Sequence, residues 1–362
     1  MDFALSDDQR AIQAAAHDFL ADAANPDVIR AALESASGFD ESLWQSLAGE
    51  MGFTGLMVPE EFGGLGLGAA EMALVLEETG RVLAPVPFFE TAVLAAQAVL
   101  TAGTTEQKER LLPLLASGTR ASFVGTASRP ALAAGRLTGI ADFATFAHVA
   151  ELVVVATSDG SLVVLPADTP GLTIEALPSL DRLRRFARLT FDCAVSPGMV
   201  LGEPGSSGAA IARVLTVGAG LLAAEQTGGM QYSLDATVEY AKQRVQFGRP
   251  VGSFQAYKHM LADMMLLVEA SRSAAYYAAA AIDEGGPEAA EACHVARSYV
   301  SDAYRSLTGD AIQLHGGIGF TWEHHAHLYF KRARASASWL GSSDAHREAL
   351  AALLLDGERA AA

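Results

Sequence analysis

Apolar residues return every three to four positions through most of residues 1–118, the spacing of helices with one buried face. Ser6 followed by Gln9 has capping-box spacing, and Ile12, Ala15, Phe19 and Leu20 form the stripe behind it. Asp40 is placed to cap a second helix with Leu43, Trp44, Leu47 and Met51 on one face. The stretch MGFTGLMVPEEFGGLGLGAAE then breaks the pattern with glycines and reads as a turn-rich loop. Helical periods resume at 69–82, 89–101 and 105–116, the last after Thr104 and Thr105 as possible caps. Between 119 and 204 the period changes. ASFVGT, LVVVAT, SLVVLP, GLTIEA and FARLTFD are short, rich in β-branched or aromatic residues, and bounded by Gly, Pro, Asp or Ser, as strands are. Long helical stretches return at about 208–243, 254–283, 288–315 and 339–356, and their short connections predict an antiparallel four-helix bundle. The pattern predicts a mainly α protein with a middle β-domain, a small barrel or sandwich, divided as 1–118, 119–204 and 205–362.

The break at 242–263, KQRVQFGRPVGSFQAYKHMLADM, joins two of these helices. The first pattern ends near Arg244. Phe247, Gly248 and Pro250 supply the turn, because glycine tolerates positive φ and proline cannot continue a helix. Ser253 is placed to cap the second helix. Its apolar positions, Tyr257, Met260, Leu261, Met264, Met265 and Val268, predict one buried face. Gln255 and Lys258 fall in its first turn, where free N–H groups attract anions. A cation at 244, an aromatic at 247 and an amide at 255 would suit a phosphate and a flat ring. The same residues would also serve simply to fix a helix–helix turn.

Composition narrows the function. The chain has 362 residues, 51% hydrophobic and 19% charged, with a formal net charge of −17. Such acidity argues against nucleic acid and anionic membrane surfaces, and a polyanion such as coenzyme A would need a local basic patch. Cys193 and Cys293 lie far apart without CxxC spacing, and are expected as buried thiols in a reducing compartment. No basic n-region with an apolar core opens the chain, and the apolar run near 208–224 contains Arg213 and stops at Glu225. The expectation is a cytoplasmic protein without a membrane span. Gly64, Gly66 and Gly68 do not fit the dinucleotide fingerprint. His315, His324, His325 and His327 cluster, but without HExxH or a third ligand, so no metal is expected. The absence of G-x-S-x-G argues against a serine hydrolase.

Two strings change the odds. RVQFGRPVGSFQAYKHMLADM and QLHGGIGFTWEHHAHLYFKRA (313–333) resemble the two signatures of the acyl-CoA dehydrogenase family, in the family's order and spacing. VPEEFGGLGLG resembles the loop after the third helix of those enzymes, so the likeness spans nearly the whole chain. The resemblance implies an acyl-CoA dehydrogenase-like fold and FAD. Residues matching Arg244, Phe247 and Gln255 contact the pyrophosphate and adenosine of a flavin held in the neighbouring subunit. Those matching Gln313, Gly316 and Gly317 line the same end. It also implies α,β-dehydrogenation of an acyl-CoA, in lipid or sterol-type catabolism, with an electron-transfer flavoprotein or similar acceptor.

In the family a carboxylate removes the α-proton, the β-hydrogen leaves as hydride, and donors stabilise the charge on the thioester oxygen. Here the usual loop reads Trp339-Leu340-Gly341-Ser342-Ser343, and the alternative position before Arg213 is Ala212. Neither carries a carboxylate. Asp344 and Glu225 are the remaining candidates, and for Glu225 a purely structural partner is the stronger reading. The family's T-E-P-x-x-G-S segment, which meets the flavin ring, is matched by GTASRPALAAG, where Thr126 alone is comparable. Some bacterial members form mixed assemblies with fewer flavins than chains. The expected state is therefore a homo-oligomer, or a hetero-oligomer in which this chain completes the flavin site of a related one.

Overall fold

The computed structural model describes residues 5–356. The helices are α1 (Asp7–Ala23), α2 (Pro26–Glu34), α3 (Glu41–Gln45), α4 (Ala69–Val82), α5 (Ala96–Ala102), α6 (Thr105–Ala116), α7 (Gly208–Gln243), α8 (Gln255–Glu284), α9 (Glu288–His315), α10 (Ala326–Ser336) and α11 (Ser343–Ala351). A seven-residue π-helix, Phe89–Ala95, leads into α5. The expected caps form. Ser6 and Gln9 bond reciprocally, Thr104 and Gln107 do the same, and Asp40 accepts from Leu43 N at 2.8 Å.

The strands are β1 (Ala121–Val124), β2 (Ala131–Ala133), β3 (Arg136–Thr145), β4 (Leu152–Ala156), β5 (Leu162–Pro166), β6 (Leu172–Ala176), β7 (Phe186–Ala194), β8 (Val245–Gln246) and β9 (Arg249–Pro250). β1 to β7 make two sheets, ordered β1-β4-β5 and β2-β3-β7-β6. In β7 burial alternates strictly, with Ala187, Leu189, Phe191 and Cys193 inward. They share a core with Val153 and Val155 of β4 and Leu165 of β5, so the two sheets pack face to face. The sequence pattern missed β2 and β3, because β3 mixes Gly139, Ala141, Asp142 and Ala144 into its ten residues.

The chain resolves into two compact units. One comprises the described residues up to Asp22, then Ala73–Ala84 and everything from Ala219 on. The other comprises Ala23–Met72 and Pro85–Gly218, and so contains both sheets. In the first, α4 and α7 touch backbone to backbone. A Cβ on Gly80 would collide with the carbonyl of Glu225, and one on Gly228 with that of Glu77. Beside this contact lies a buried polar network. Arg272 of α8 pairs with Glu77 at 3.0 Å and donates to Gln231 at 2.7 Å, while the Tyr276 hydroxyl donates to Glu77 at 2.7 Å.

Four expectations need correction or extension. The last helical stretch starts at Ser343 rather than 339: residues 339–342 form a turn, and Ser342 caps α11 by accepting from Ala345 N at 3.2 Å. α10 was not anticipated, because its residues had been read only as a signature. The face of α8 is incompletely buried, with Met264 and Val268 inside but Met265 58% exposed. The apolar run near 208–224 is interrupted at Arg213 and ends at Glu225. Yet α7 as a whole has 36 residues, and among the described helices it alone is long and apolar enough to cross a bilayer. Burial of 61% of its apolar window marks it as a core helix. Both cysteines are buried and free.

Candidate functional site

α7 closes with Arg244 N donating to Tyr240 O at 2.8 Å, and a two-residue hairpin follows. Val245 pairs with Pro250 and Gln246 with Arg249, leaving Phe247 and Gly248 at the tip. Their φ values, 53° and 74°, are those of a type I′ turn. Glycine suits this. A left-handed phenylalanine costs roughly 1–2 kcal/mol, and such strain concentrates at functional positions. The Phe247 ring is 92% exposed and touches only the edge of Phe254, centroids 6.2 Å apart. Arg249 lies over Phe254 at 4.0 Å. Ser253 does not cap α8. It falls in a 3₁₀ turn, and Phe254 occupies the N-cap without a side-chain bond. The amides of the first turn are therefore not sequestered by a capping side chain.

The end of α9 meets this hairpin region. The Tyr257 hydroxyl donates to Leu314 O at 3.0 Å, and burial pushes its pKa up to about 12, so it remains a donor. Tyr240 at the end of α7 packs on His315, ring centroids 4.6 Å apart. Gln313, Gly316 and Gly317 follow on the exposed side. A Cβ at Gly316 or Gly317 would meet nothing within 4 Å, so the backbone there is open to approach. Arg244, Phe247, Gln255, Gln313, Gly316 and Gly317 are thus gathered at one end of the α7–α8–α9 group, all exposed. Cation, aromatic face, uncapped amides and bare backbone are what the diphosphate end of a dinucleotide needs. The histidines next to them pack on rings: His315 on His324 at 4.3 Å and His327 on Trp322 at 4.8 Å. Among the described residues no His, Cys, Asp and Glu group could hold a metal ion.

In the sheet-containing unit, Thr126 follows β1 and is half-buried. Sequence reasoning overlooked its neighbours on β3. A bulge between Ala141 and Ala144 puts Phe143 at φ 63°, with its ring 53% exposed and edge-on to Phe186 at 5.8 Å. Asp142 N donates to Ser128 Oγ at 3.1 Å, tying the loop after β1 to this bulge. Two residues beyond Phe143, the buried Thr145 Oγ1 finds no partner among the described residues. The exposed Phe143 ring, on the bulge tied to the loop after β1, offers a second apolar face suited to a flat heteroaromatic ring. The only sequence trace was Phe-Ala-Thr spacing within a strand.

Comparison with known proteins decides the family. The description "Acyl-CoA dehydrogenase, C-terminal domain" matches residues 207–355, and "Acyl-CoA dehydrogenase, N-terminal domain" matches 6–119. Acyl-CoA dehydrogenase IpdE2 of Mycolicibacterium smegmatis is 38% identical over 318 residues, 88% of this chain and 89% of its own. The chain belongs to the acyl-CoA dehydrogenase family. Among solved structures, the Tcur3481-Tcur3483 steroid acyl-CoA dehydrogenase superposes with TM-score 0.86 at 33% identity, covering 97% of this chain and 99% of that one. The ChsE4-ChsE5 complex of Mycobacterium tuberculosis gives 0.89 at 26%, covering 100% and 99%.

The two candidate carboxylates both lie beside arginines. Glu225 is 4% exposed and paired with Arg332 at 3.3 Å. The Asp344 side chain is 91% exposed and bonded to Arg347 at 2.8 Å. The turn before α11 carries Leu340 at φ 57° and Gly341 at φ 99°. Arg297, wholly buried, donates to the carbonyls of Ser336 (2.6 Å), Trp339 (2.7 Å) and Gly341 (3.2 Å). His346 Nε2 meets the carbonyl of Leu340 at 2.8 Å. The N–H groups of Leu340, Gly341 and Ser342 meet no acceptor among the described residues.

Proposed function

We propose that this chain acts in FAD-dependent α,β-dehydrogenation of a steroid-type acyl-CoA, as one half of an assembly with a related acyl-CoA dehydrogenase chain. The carrying observation is the contrast between its two ends. The residues fitted to a flavin diphosphate are complete and exposed, while the loop expected to hold the base carries Leu340 and the other two carboxylates are committed to arginines. Arg244 would supply a permanent charge and a forked donor to phosphate oxygens, Phe247 a surface for the adenosine, and Gln255 and Gln313 amide bonds. A bound flavin would supply a two-electron acceptor for the β-hydrogen. The amides of Leu340, Gly341 and Ser342 are the donors this chain offers to a thioester oxygen. The base would come from the partner chain, and electrons would pass to an electron-transfer flavoprotein or similar acceptor in the cytoplasm. Paired naming in two relatives and "steroid" in one support this reading. On it, the working divisions of the chain are 1–118, 119–204 and 205–362.

A second reading is favoured by one observation, the exposed Phe143 ring on a bulge tied through Ser128 to the loop that carries Thr126. It suits a flavin ring of the chain's own, in a homo-oligomer. Purification alone and with a co-expressed relative separates the two, using the flavin spectrum and reduction of an acceptor dye on adding steroid acyl-CoA. Flavin and turnover only with the relative support the first reading. One flavin per chain with full activity in the lone protein overturns it in favour of the second.

A further inference from the structure

Arg297 is a cation with 0% exposure, and its hydrogen bonds run to Gln226 Oε1 at 3.4 Å and to three backbone carbonyls of one turn. Burying a guanidinium is costly, and carbonyl dipoles offset that cost less well than a carboxylate. Burial draws its pKa down to about 10, which leaves it charged at neutral pH. An apolar side chain would fill the space with less penalty, so the turn's conformation is what the charge maintains. Leu340 is held there in the left-handed region, and a Cβ on Gly341 would lie 2.6 Å from the His346 ring. Among the described residues there are no cis peptides, so each carbonyl points opposite to the N–H of its own peptide unit. Arg297 Nη2 shares its two protons among the carbonyls of Ser336, Trp339 and Gly341, and His346 takes that of Leu340. The N–H groups of Leu340, Gly341 and Ser342 are thereby turned away from both and left unspent. Bonds at the carbonyl end also polarise the same peptide, making its N–H a stronger donor.

We propose that Arg297, assisted by His346, is the positioning residue that presents these three amides to the acyl ligand's carbonyl oxygen. This rests on the acyl-CoA reading above. The test compares two probes on the purified assembly by calorimetry: an α,α-dimethyl acyl-CoA, which has no α-proton to lose, and the matched S-alkyl-CoA, which lacks the carbonyl oxygen. The wild-type protein should prefer the thioester by about tenfold or more, as one or two hydrogen bonds to an electron-rich oxygen predict. In Arg297→Met the preference should collapse toward one with thioether affinity retained, and Arg297→Lys should restore part of it. A residue that only supports the fold would weaken both probes alike. If Arg297→Met does not fold, His346→Phe should lower the same ratio and His346→Gln, which keeps a donor, should preserve it. An unchanged ratio in a folded Arg297→Met or His346→Phe overturns the proposal, as does a wild type that binds both probes equally. A wild type that binds neither overturns the acyl-CoA reading as well.

Discussion

Tyr257 and Leu314 are joined across 57 residues by one hydrogen bond of 3.0 Å, from hydroxyl to carbonyl. It ties the start of α8 to the end of α9, and so brings Gln255 and Gln313 into one site. Tyr257→Phe should cost about 0.5–1.5 kcal/mol of stability and loosen flavin retention in the assembly. Thermal melting and flavin content check this. Unchanged retention would mean that the two helix ends are aligned without the bond.

Arg244 is exposed and serves no packing role. Arg244→Ala should therefore leave the melting temperature unchanged. It should weaken flavin binding by about 1.5–3 kcal/mol, the value of a hydrogen bond to a charged group. Fluorescence titration of apoprotein with FAD measures this, and wild-type affinity in the variant would remove Arg244 from the site.

Glu225 and Asp344 are predicted not to be bases. Asp344→Asn should keep turnover within about twofold, whereas loss of a general base costs about 10²–10⁴-fold. Glu225→Gln should destabilise the protein by several kcal/mol, because it removes a buried charge paired with the buried Arg332. A folded Glu225→Gln that retains flavin but loses rate would assign the base after all.

Glu77 gives a parallel case. Burial pushes its carboxyl pKa up, against the pull of Arg272 and Tyr276. Glu77→Gln should cost about 3–5 kcal/mol, and adding Arg272→Met should recover part of the loss. Urea denaturation of the single and double variants tests the coupling.

Acid should destabilise the fold through histidine. Burial first, then neighbouring positive groups, hold His324 and His346 down to about 4, against an ordinary 6.5. Both are neutral in the folded protein at pH 6, while the unfolded chain takes up protons. Stability is therefore complete above about pH 6.5 and falls as pH drops toward 4. Denaturation midpoints at pH 7.5 and 5 should show the decline, and His324→Asn with His346→Gln should flatten it.

Local features of the fold were legible in the sequence, and features closed over long distances were not. The reciprocal bonds of Ser6 with Gln9 and of Thr104 with Gln107 span three residues, so composition displays them. The strand β3 is held by pairing to β7 some fifty residues later, and its Gly139, Asp142 and alanines carry little strand preference of their own. Ser253 looked like a cap until a 3₁₀ turn intervened before α8. At the site, Arg244, Phe247 and Gln255 lie within twelve residues and were visible as a string. The role of Arg297 was hidden, since its partners are backbone carbonyls 39 to 44 positions away and a carbonyl has no residue type.

The glycine contact between α4 and α7 carries a mechanical consequence. With Gly80 and Gly228 setting backbone against backbone, no layer of rotatable side chains separates the two helices there. The spacing of the two helices there is set by main chain alone. Any side chain larger than hydrogen at either glycine would have to push the two backbones apart, and Glu77, which lies in that same contact, would be displaced from Arg272 with them.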